Sequence, residues 1–474
     1  MEHAKMPPEP ETVNIATSLL ADAFGGSVYL GKGEDLGGSP RSRVYRFAVV
    51  DGPATMPASV IVKQAHSTTD AVFDPDSPRM PAWTLFNDWA ALQFLSQAVP
   101  DGAPVPRFYA GDRTRGLFIM EDLGRGERLD HLLLGNDPGA AETALVEFAA
   151  LHGRLHALTI GKQDDYLRIR QSLGPVEEES EYFRYAWLAS TLDQTASVLD
   201  IAPATGIAAD LAELTSALLH PGPFLAFIQS DSCPDNCVRV DASMRLLDFE
   251  GARFTHALLE GVYGRVPFPT CWCVYRLPEH IPLHMEKAYR AELVHGCPAA
   301  ADDTLFYRAV VEACAFWMLD LYKFFPLSTL LEKDYQIVTS TVRQRLLLRS
   351  AIFARLSEEF GHLEALGATV RTIAAKLSPL WPEAVDIPYY PAFQRVISTS
   401  EARTVSIGST GTNGTRNARR RSGCVRRSTS TPIATSTNAV SVPMFVSSAT
   451  TSIGVRPASS ATKMPTMILD RYGV

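Results

Sequence analysis

The residues most able to do chemistry lie in one short stretch, "FIQSDSCPDNCVRV", residues 227–240. Asp231 and Asn236 lie five positions apart in it, and Asp248 follows twelve positions later in "LLDFEG". An Asp can accept the proton of an attacking hydroxyl group, and amide and carboxylate oxygens are ligands for Mg²⁺. Strand-like residues flank the stretch and predict a hairpin that brings these side chains to one edge. The spacing fits a site that holds a metal ion and a nucleotide.

Turn chemistry is the alternative, because Asp and Asn are common in turns. Other segments favour the chemical interpretation. Lys63 ends the strand-like run "VIVK" and can reach phosphates, although a strand lysine is often a solvated edge charge. Gly37, Gly38 and Ser39 lie in "DLGGSPRSRVY", a glycine-rich turn whose backbone N–H groups can face a phosphate. A plain hairpin turn is the alternative for these glycines.

The elements that must position these residues form two groups. Residues 25–123 read as a small sheet with one helix, and "RVYRFAVV" and "ASVIVKQA" are predicted to pair as an antiparallel hairpin. Beyond residue 123 the pattern is mostly helical, interrupted by the hairpin at 227–249. Helices are predicted from "AAETALVEFAALHGRLHALT" and at 179–198, 205–220, 302–325 and 332–378. A β-rich part followed by a helical part predicts an α+β fold of two lobes.

This pattern divides the chain into four parts. A helical extension at 1–24 precedes an N-terminal lobe at 25–123 and a larger C-terminal lobe at 124–398. The remainder, 399–474, is a low-complexity tail rich in Ser, Thr and Arg, which predicts disorder. An out-of-frame translation is a second explanation of the tail, and in either case we expect it to lie outside the fold. A basic tail that binds nucleic acid is a third possibility.

Composition excludes several classes of protein. The 474 residues include 44 basic and 52 acidic side chains, and the net charge of −8 argues against a general nucleic-acid binder. The seven cysteines lack zinc-site spacing and are expected to be reduced thiols. The N-terminus does not resemble a signal peptide, and no apolar stretch reaches membrane-spanning length. We therefore expect a cytoplasmic protein; its oligomeric state is left open.

In this order the blocks resemble the aminoglycoside phosphotransferase family of the protein-kinase-like superfamily. The resemblance covers roughly residues 25–395 and rests on "RSRVYR", "FNDWAALQFL", "VPRFYAGD", "LFIMEDLG", "ALHGRLHALT", "SDSCPDN" and "LLDFEGA". It implies a bilobal protein-kinase-like fold, in which a small antiparallel sheet with one helix faces a larger, mostly helical lobe. It also implies an ATP- and Mg²⁺-dependent kinase that phosphorylates a hydroxyl group of a small molecule.

The resemblance assigns a role to each candidate residue. Asp231 would be the catalytic base, Asn236 and Asp248 the Mg²⁺ ligands, and Lys63 a contact to the α and β phosphates. Residues that surround the nucleotide complete the set, with a glycine-rich loop over the phosphates and main-chain groups on adenine: Gly37, Gly38, Ser39, Met120 and Asp122.

Two positions depart from the family pattern. Gln229 stands where a His is usual, and Asp88 stands where a Glu usually pairs with the strand lysine. Asp88 is one methylene shorter than Glu and can bridge to Lys63 if its helix lies slightly closer. These departures keep a second hypothesis open, a non-catalytic nucleotide-binding pseudokinase. Four retained residues argue against it: Lys63, Asp231, Asn236 and Asp248. The acceptor is not named by any motif.

Two further patterns have a chemical and a structural interpretation. His152 and His156 lie four apart on one helix and could hold a metal ion, but packing within the helical lobe is favoured. Trp272 and Tyr275 in "PTCWCVYRLPEH" could form a wall of the acceptor site or pack in the core.

Overall fold

The computed structural model describes residues 8–39, 41–66, 72–99, 103–176, 182, 184–241, 243–384 and 386–394. The tail predicted at 399–474 lies outside these residues. Within the described part of the chain, no helix is both long enough and apolar enough to cross a membrane.

The N-terminal lobe is built on one six-stranded antiparallel sheet. Its strands are β1 (Tyr29–Leu30), β2 (Glu34–Ser39), β3 (Ser42–Asp51), β4 (Ser59–Ala65), β5 (Phe108–Asp112) and β6 (Leu117–Glu121). The order is β1-β3-β4-β6-β5, and β2 pairs with β3. The two β-rich runs pair as β3 and β4, so the predicted hairpin is confirmed.

Two helices cover this sheet, and the alternation of side chains along β4 explains which face each one meets. Helix α1 (Pro10–Phe24) packs into a small core that contains Val60 and Val62. Lys63 points to the opposite face, where it meets Asp88 on helix α2 (Ala82–Ala98). The period of two residues therefore directs a lysine out of an apolar strand and toward the space between the lobes.

The C-terminal lobe is mostly helical. Its helices are α3 (Leu129–Leu134), α4 (Pro138–Thr159), α5 (Gln163–Leu173), α6 (Trp187–Val198), α7 (Ile207–Leu219), α8 (Leu258–Gly261), α9 (His280–Leu293), α10 (Asp303–Phe324), α11 (Leu327–Glu332), α12 (Val342–Phe360) and α13 (Glu364–Leu377). Helix α4 packs on α9, and α10 packs on α12. One large apolar core joins these helices to α2.

Short strands hold the segment that carries the candidate chemistry. They are β7 (Glu127–Arg128), β8 (Leu225–Ile228), β9 (Cys237–Val240), β10 (Ser243–Leu246) and β11 (Arg253–His256), with β12 (Gln336–Ile337) and β13 (Ser340–Thr341) further along. Strand β9 lies between β10 and β7, while β8 pairs with β11. The predicted 227–249 hairpin is therefore right only for β9 and β10, because 229–236 forms a loop between two different sheets.

Two helix predictions are also corrected. The continuous helix at 332–378 is wrong: the β12–β13 hairpin precedes α12, and Gly361 separates α12 from α13 with φ +60°. The Thr341 side chain accepts from the Gln344 N–H and the Gln344 side chain bonds the Thr341 backbone, a capping box that starts α12. The helix expected at 179–198 begins at Trp187, and residues 177–181 and 183 lie outside the described part.

Candidate active site

Lys63 is the centre of a buried charge cluster between the lobes. Only 5% of the residue is exposed. Its Nζ lies 2.6 Å from Asp88 Oδ2, 3.0 Å from Glu250 Oε1 and 3.4 Å from Asp248 Oδ1. The cluster joins β4, α2 and the segment after β10, so the lysine links both lobes.

Asp88 reaches Lys63 although it is shorter than a glutamate. Its other oxygen, Oδ1, accepts a hydrogen bond from Phe249 N at 3.0 Å. The neighbouring Asn87 donates from Nδ2 to the Glu250 carbonyl at 3.0 Å. Helix α2 is thus fixed directly to the 248–250 segment, which explains how it lies close enough for the shorter acid to bridge.

The charges in this cluster shift one another's titration. Burial alone would lower the pKa of Lys63, but Asp248, Asp88 and Glu250 raise it well above its usual value. Partial burial, with Glu250 and Asp88 close by, raises the pKa of Asp248 to about 7, against the opposing effect of Lys63. Because 45% of the Asp248 side chain is exposed in the cleft, water screens part of this effect. Lys63 and Arg41 hold the pKa of Glu250 below its usual value, although burial opposes them.

Asp231 and Asn236 lie in the loop between β8 and β9. Asn236 Nδ2 donates to the Asp231 carbonyl at 3.0 Å, so the other atom of this side-chain amide, Oδ1, could hold a metal ion. The Cys233 thiol donates to Asp231 Oδ1 at 3.2 Å. The loop connects to the residue before Asp248 through a hydrogen bond from Leu247 N to the main-chain carbonyl of Asn236 at 2.9 Å. The three residues predicted to do chemistry are thus connected by the backbone at one end of the small sheets.

Glu260 holds this loop in place through hydrogen bonds, and it was not predicted from the sequence as a site residue. Its Oε1 accepts from Ser230 N at 2.6 Å and from Ser232 Oγ at 2.7 Å. Its Oε2 lies 3.0 Å from His156 Nε2, and the other nitrogen of that ring lies 2.9 Å from the Tyr289 hydroxyl. Burial raises the pKa of Glu260, but the bond to His156 and the loop donors lower it overall. His156 is therefore a brace for the loop, in line with the favoured packing interpretation.

Gln229 occupies the position where the family pattern has His. It is fully buried, and its Nε2 donates to the Leu247 carbonyl and more weakly to the Asp248 carbonyl at 3.4 Å. This side chain connects the start of the 229–236 loop to the residue that follows β10. The contacts are those of a structural brace.

The glycine-rich β2–β3 hairpin carries the residues predicted to cover the nucleotide. Gly37 and Gly38 have φ +100° and +145°, and a Cβ on Gly38 would lie 2.1 Å from the Ser42 carbonyl oxygen. Ser39 Oγ accepts from Arg41 N at 3.1 Å and closes the turn. The Arg41 side chain reaches Glu250 at 3.2 Å. The hairpin therefore reaches the charge cluster, and only glycine fits at position 38.

Met120 and Asp122 lie at the end of β6, where the first lobe joins the second. The Asp122 carboxylate takes hydrogen bonds from Arg46 Nε at 2.7 Å, Ser59 Oγ at 2.6 Å and Gly124 N at 2.9 Å. Burial raises its pKa, but these donors lower it overall. The Asp122 side chain is engaged in these hydrogen bonds, which leaves its main-chain groups as the predicted contacts with adenine.

The fold is bilobal and protein-kinase-like: a six-stranded antiparallel sheet has one helix against the cleft, a larger lobe is helical, and the 229–236 loop lies between two small sheets. No family model matches the sequence, and no curated protein matches it. Several solved structures are similar to this chain.

A choline/ethanolamine kinase family protein from Mesorhizobium loti is 15% identical over 76% of this chain and 99% of its own, with a TM-score of 0.36. Choline kinase from Cryptosporidium parvum Iowa II is 12% identical over 78% and 96%, with a TM-score of 0.37. The aminoglycoside phosphotransferase APH(2")-IIa, solved with streptomycin and ATP, is 11% identical over 69% and 97%, with a TM-score of 0.39. These three proteins are what the fold of this chain is similar to.

Proposed function

We propose that this chain is an ATP- and Mg²⁺-dependent kinase that transfers a phosphoryl group to a hydroxyl group of a small molecule. The observation that carries the proposal is the cluster in which Lys63, Asp88 and Asp248 meet, with Asp231 and Asn236 on the adjoining loop. A buried lysine bound to three carboxylates is costly to maintain unless the charges have a use. Binding of phosphates and metal is that use.

Lys63 would contact the α and β phosphates. Its bond to Asp88 holds the ammonium group in place, and the three neighbouring carboxylates keep it charged at neutral pH. The glycine hairpin would lie over the phosphates; Gly38 lets the hairpin close tightly, because a Cβ there would meet the Ser42 carbonyl. Main-chain groups of Met120 and Asp122 would bind adenine.

Asp231 would orient the acceptor hydroxyl and accept its proton as the oxygen–phosphorus bond forms and the bond to the departing ADP breaks. Its backbone is fixed by Asn236 and by the Glu260 brace, which limits movement of the carboxylate. Most of the barrier reduction in such a transfer comes from positioning and from charge stabilisation. A rigid loop is therefore as important as the base itself.

Asn236 and Asp248 have the donor set for Mg²⁺, one amide oxygen and one carboxylate, both in reach of the cleft. A Mg²⁺ ion held there would offset the charge of the phosphate oxygens. Asp248 lies at φ +61°, a strained conformation for a non-glycine residue that turns the chain as it leaves β10. Its side chain has the longest of the three contacts to Lys63, so it is the acid most easily redirected to a cation.

The proposal is tested by nucleotide binding and by phosphoryl transfer to a panel of hydroxylated metabolites. Asp231→Asn should lower kcat by at least ~10² and leave the Kd for ATP nearly unchanged. Asp248→Ala should abolish Mg²⁺-dependent nucleotide binding. Asp241→Asn, at an exposed position in the β9–β10 turn, is the matched control and should change neither quantity.

Two results would contradict the proposal. Nucleotide affinity that is indifferent to Mg²⁺ and to Asp248→Ala would indicate a metal-free binder. Mg²⁺-dependent nucleotide binding without turnover of any acceptor, and without effect of Asp231→Asn on ATP hydrolysis, would favour the pseudokinase.

A further inference from the structure

Three metal-ligating side chains converge behind the catalytic loop, outside the proposed Mg²⁺ site. Cys233 and Asp235 belong to the loop itself, and Cys271 belongs to the segment that precedes α9. The two Sγ atoms and one Asp235 carboxylate oxygen all lie within 4.8 Å of one another. Cys273 lies beside them, with its Sγ 3.0 Å from Cys271 Sγ. No spacing motif relates these residues, because they come from two distant segments.

The cluster is withdrawn from solvent and has an unsatisfied acceptor. Cys233 and Cys271 are 5% and 0% exposed. Asp235 is half-buried; its Oδ2 accepts from Trp272 Nε1 at 3.2 Å, while its Oδ1 is buried and has no hydrogen-bond partner among the residues that the structure describes. A buried polar atom left without a partner costs about 1–3 kcal/mol. A cation bound between the carboxylate and the thiols would remove this cost.

The backbone on the far side of the cluster is held by two buried arginines. Arg345 donates to the carbonyls of Cys271 and Trp272 at 2.8 and 2.9 Å. Arg349 donates to the Pro269 carbonyl at 2.6 Å. These bonds fix the backbone that carries Cys271, while Cys233 and Asp235 are fixed by the loop to which they belong. Such preorganisation favours binding of an ion over collapse of the cluster.

We propose that Cys233, Asp235 and Cys271 bind a thiophilic divalent cation of the Zn²⁺ class. Tetrahedral Zn²⁺ with bonds of ~2.3 Å to sulfur separates two sulfur ligands by about 3.8 Å, within the spacing of this cluster. The two thiols would lose their protons to solvent as the ion binds. Thiolate ligands select zinc-like metals and not Mg²⁺, so this site is chemically distinct from Asn236 and Asp248. The bound ion would tie the catalytic loop to the 269–273 segment.

The test uses the full chain, reduced and stripped of metal, with Co²⁺ as a spectroscopic probe and Zn²⁺ as competitor. We expect one Co²⁺ per chain with thiolate-to-cobalt charge-transfer absorption, displaced by Zn²⁺ and not by excess Mg²⁺. Cys271→Ser and Cys233→Ser should each weaken Co²⁺ binding at least tenfold. Cys237→Ser is the matched control, since Cys237 follows the same loop but contacts Met244, and it should bind as the unchanged chain does.

The readout separates this site from the kinase site. Asp248→Ala should keep the charge-transfer band, because Asp248 offers only oxygen. Unfolding midpoints of the metal-free variants check that a lost band does not reflect a lost fold, and if Cys271→Ser does not fold, Asp235→Asn takes its place with the same expected weakening. Absence of the band in the unchanged chain, or equal affinity after Cys271→Ser, would overturn the proposal.

Discussion

The ion pair between Lys63 and Asp88 gives a sharp test of how well this site is built. Asp88 uses both oxygens, with Oδ2 2.6 Å from Lys63 Nζ and Oδ1 3.0 Å from Phe249 N. A glutamate is longer by one C–C bond of ~1.5 Å. Both carboxylate oxygens of Asp88 already lie at hydrogen-bond distance from their partners, so the longer side chain has no room. We therefore expect Asp88→Glu to lower the free energy of unfolding by about 1–3 kcal/mol, as overpacking does. It should also weaken nucleotide binding, although it restores the usual family residue.

Asp88→Asn is the companion change, because it keeps the shape and the bond to Phe249 and removes one charge. Lys63 would retain Glu250 at 3.0 Å and Asp248 at 3.4 Å. The loss should therefore fall below the ~3–5 kcal/mol of a buried pair that is broken outright. We expect about 1.5–3 kcal/mol, the usual worth of a hydrogen bond to a charged group.

Urea unfolding gives the free energies, and titration with a fluorescent ATP analogue and Mg²⁺ gives the dissociation constants. Asp193→Glu, at an exposed position on α6, controls for the general effect of lengthening an acid and should change neither. An Asp88→Glu chain that is as stable as the original and binds nucleotide more tightly would refute the reasoning. It would mean that the shorter acid impairs the site.

Three other predictions follow from single contacts. Gln229→His should change kcat by less than about tenfold, or roughly 1.4 kcal/mol, whereas Gln229→Ala should cost more because buried carbonyls lose their donor; activity that appears only with His would favour the pseudokinase. Gly38→Ala should raise the Kd for ATP, since the new Cβ would lie 2.1 Å from the Ser42 carbonyl; an unchanged Kd would remove the hairpin from the nucleotide site. Burial raises the pKa of Glu312, but two buried histidines, His256 and His362, lower it to about 2 overall. The ionised Glu312 therefore contributes to the free energy of unfolding above its ordinary pKa of 4.5, and this contribution is lost as the pH falls toward 2. That depression corresponds to about 3 kcal/mol, and urea unfolding from pH 6 to 2.5 should show a smaller loss in Glu312→Gln.

The parts of the site that sequence reasoning reached are those with a local signature. The alternation of β4 directs Lys63 away from the apolar core, and the spacing of Asp231, Asn236 and Asp248 follows from one loop and one hairpin. Each depends on residues close in the chain. The roles of these residues remain predictions, while their meeting in one cleft is visible in the structure.

The parts that were missed depend on contacts between distant segments. Glu260 holds the 229–236 loop from a short helix, and its partner His156 is 104 positions away along the chain. Arg41 meets Glu250 across 209 positions. No pattern of spacing along the sequence predicts either contact. The break before α12 was different, because Thr341 and Gln344 form a recognisable capping box that the long apolar pattern obscured.

Charge counting in the cleft links these contacts to the proposed reaction. Three carboxylates, Asp88, Asp248 and Glu250, face two cations, Lys63 and Arg41. Once Asp248 ionises, at its raised pKa of about 7, the cluster carries excess negative charge and would repel the phosphates of ATP. Mg²⁺ held by Asp248 would supply positive charge at this point, and Lys63, whose contact with Asp248 is the longest of its three, would be available to the phosphates. Asp88 would keep the lysine in place, because its contact is the shortest of the three and its second oxygen accepts from Phe249 N. In the proposed kinase, dependence on Mg²⁺ is thus a consequence of how many acids surround one buried lysine.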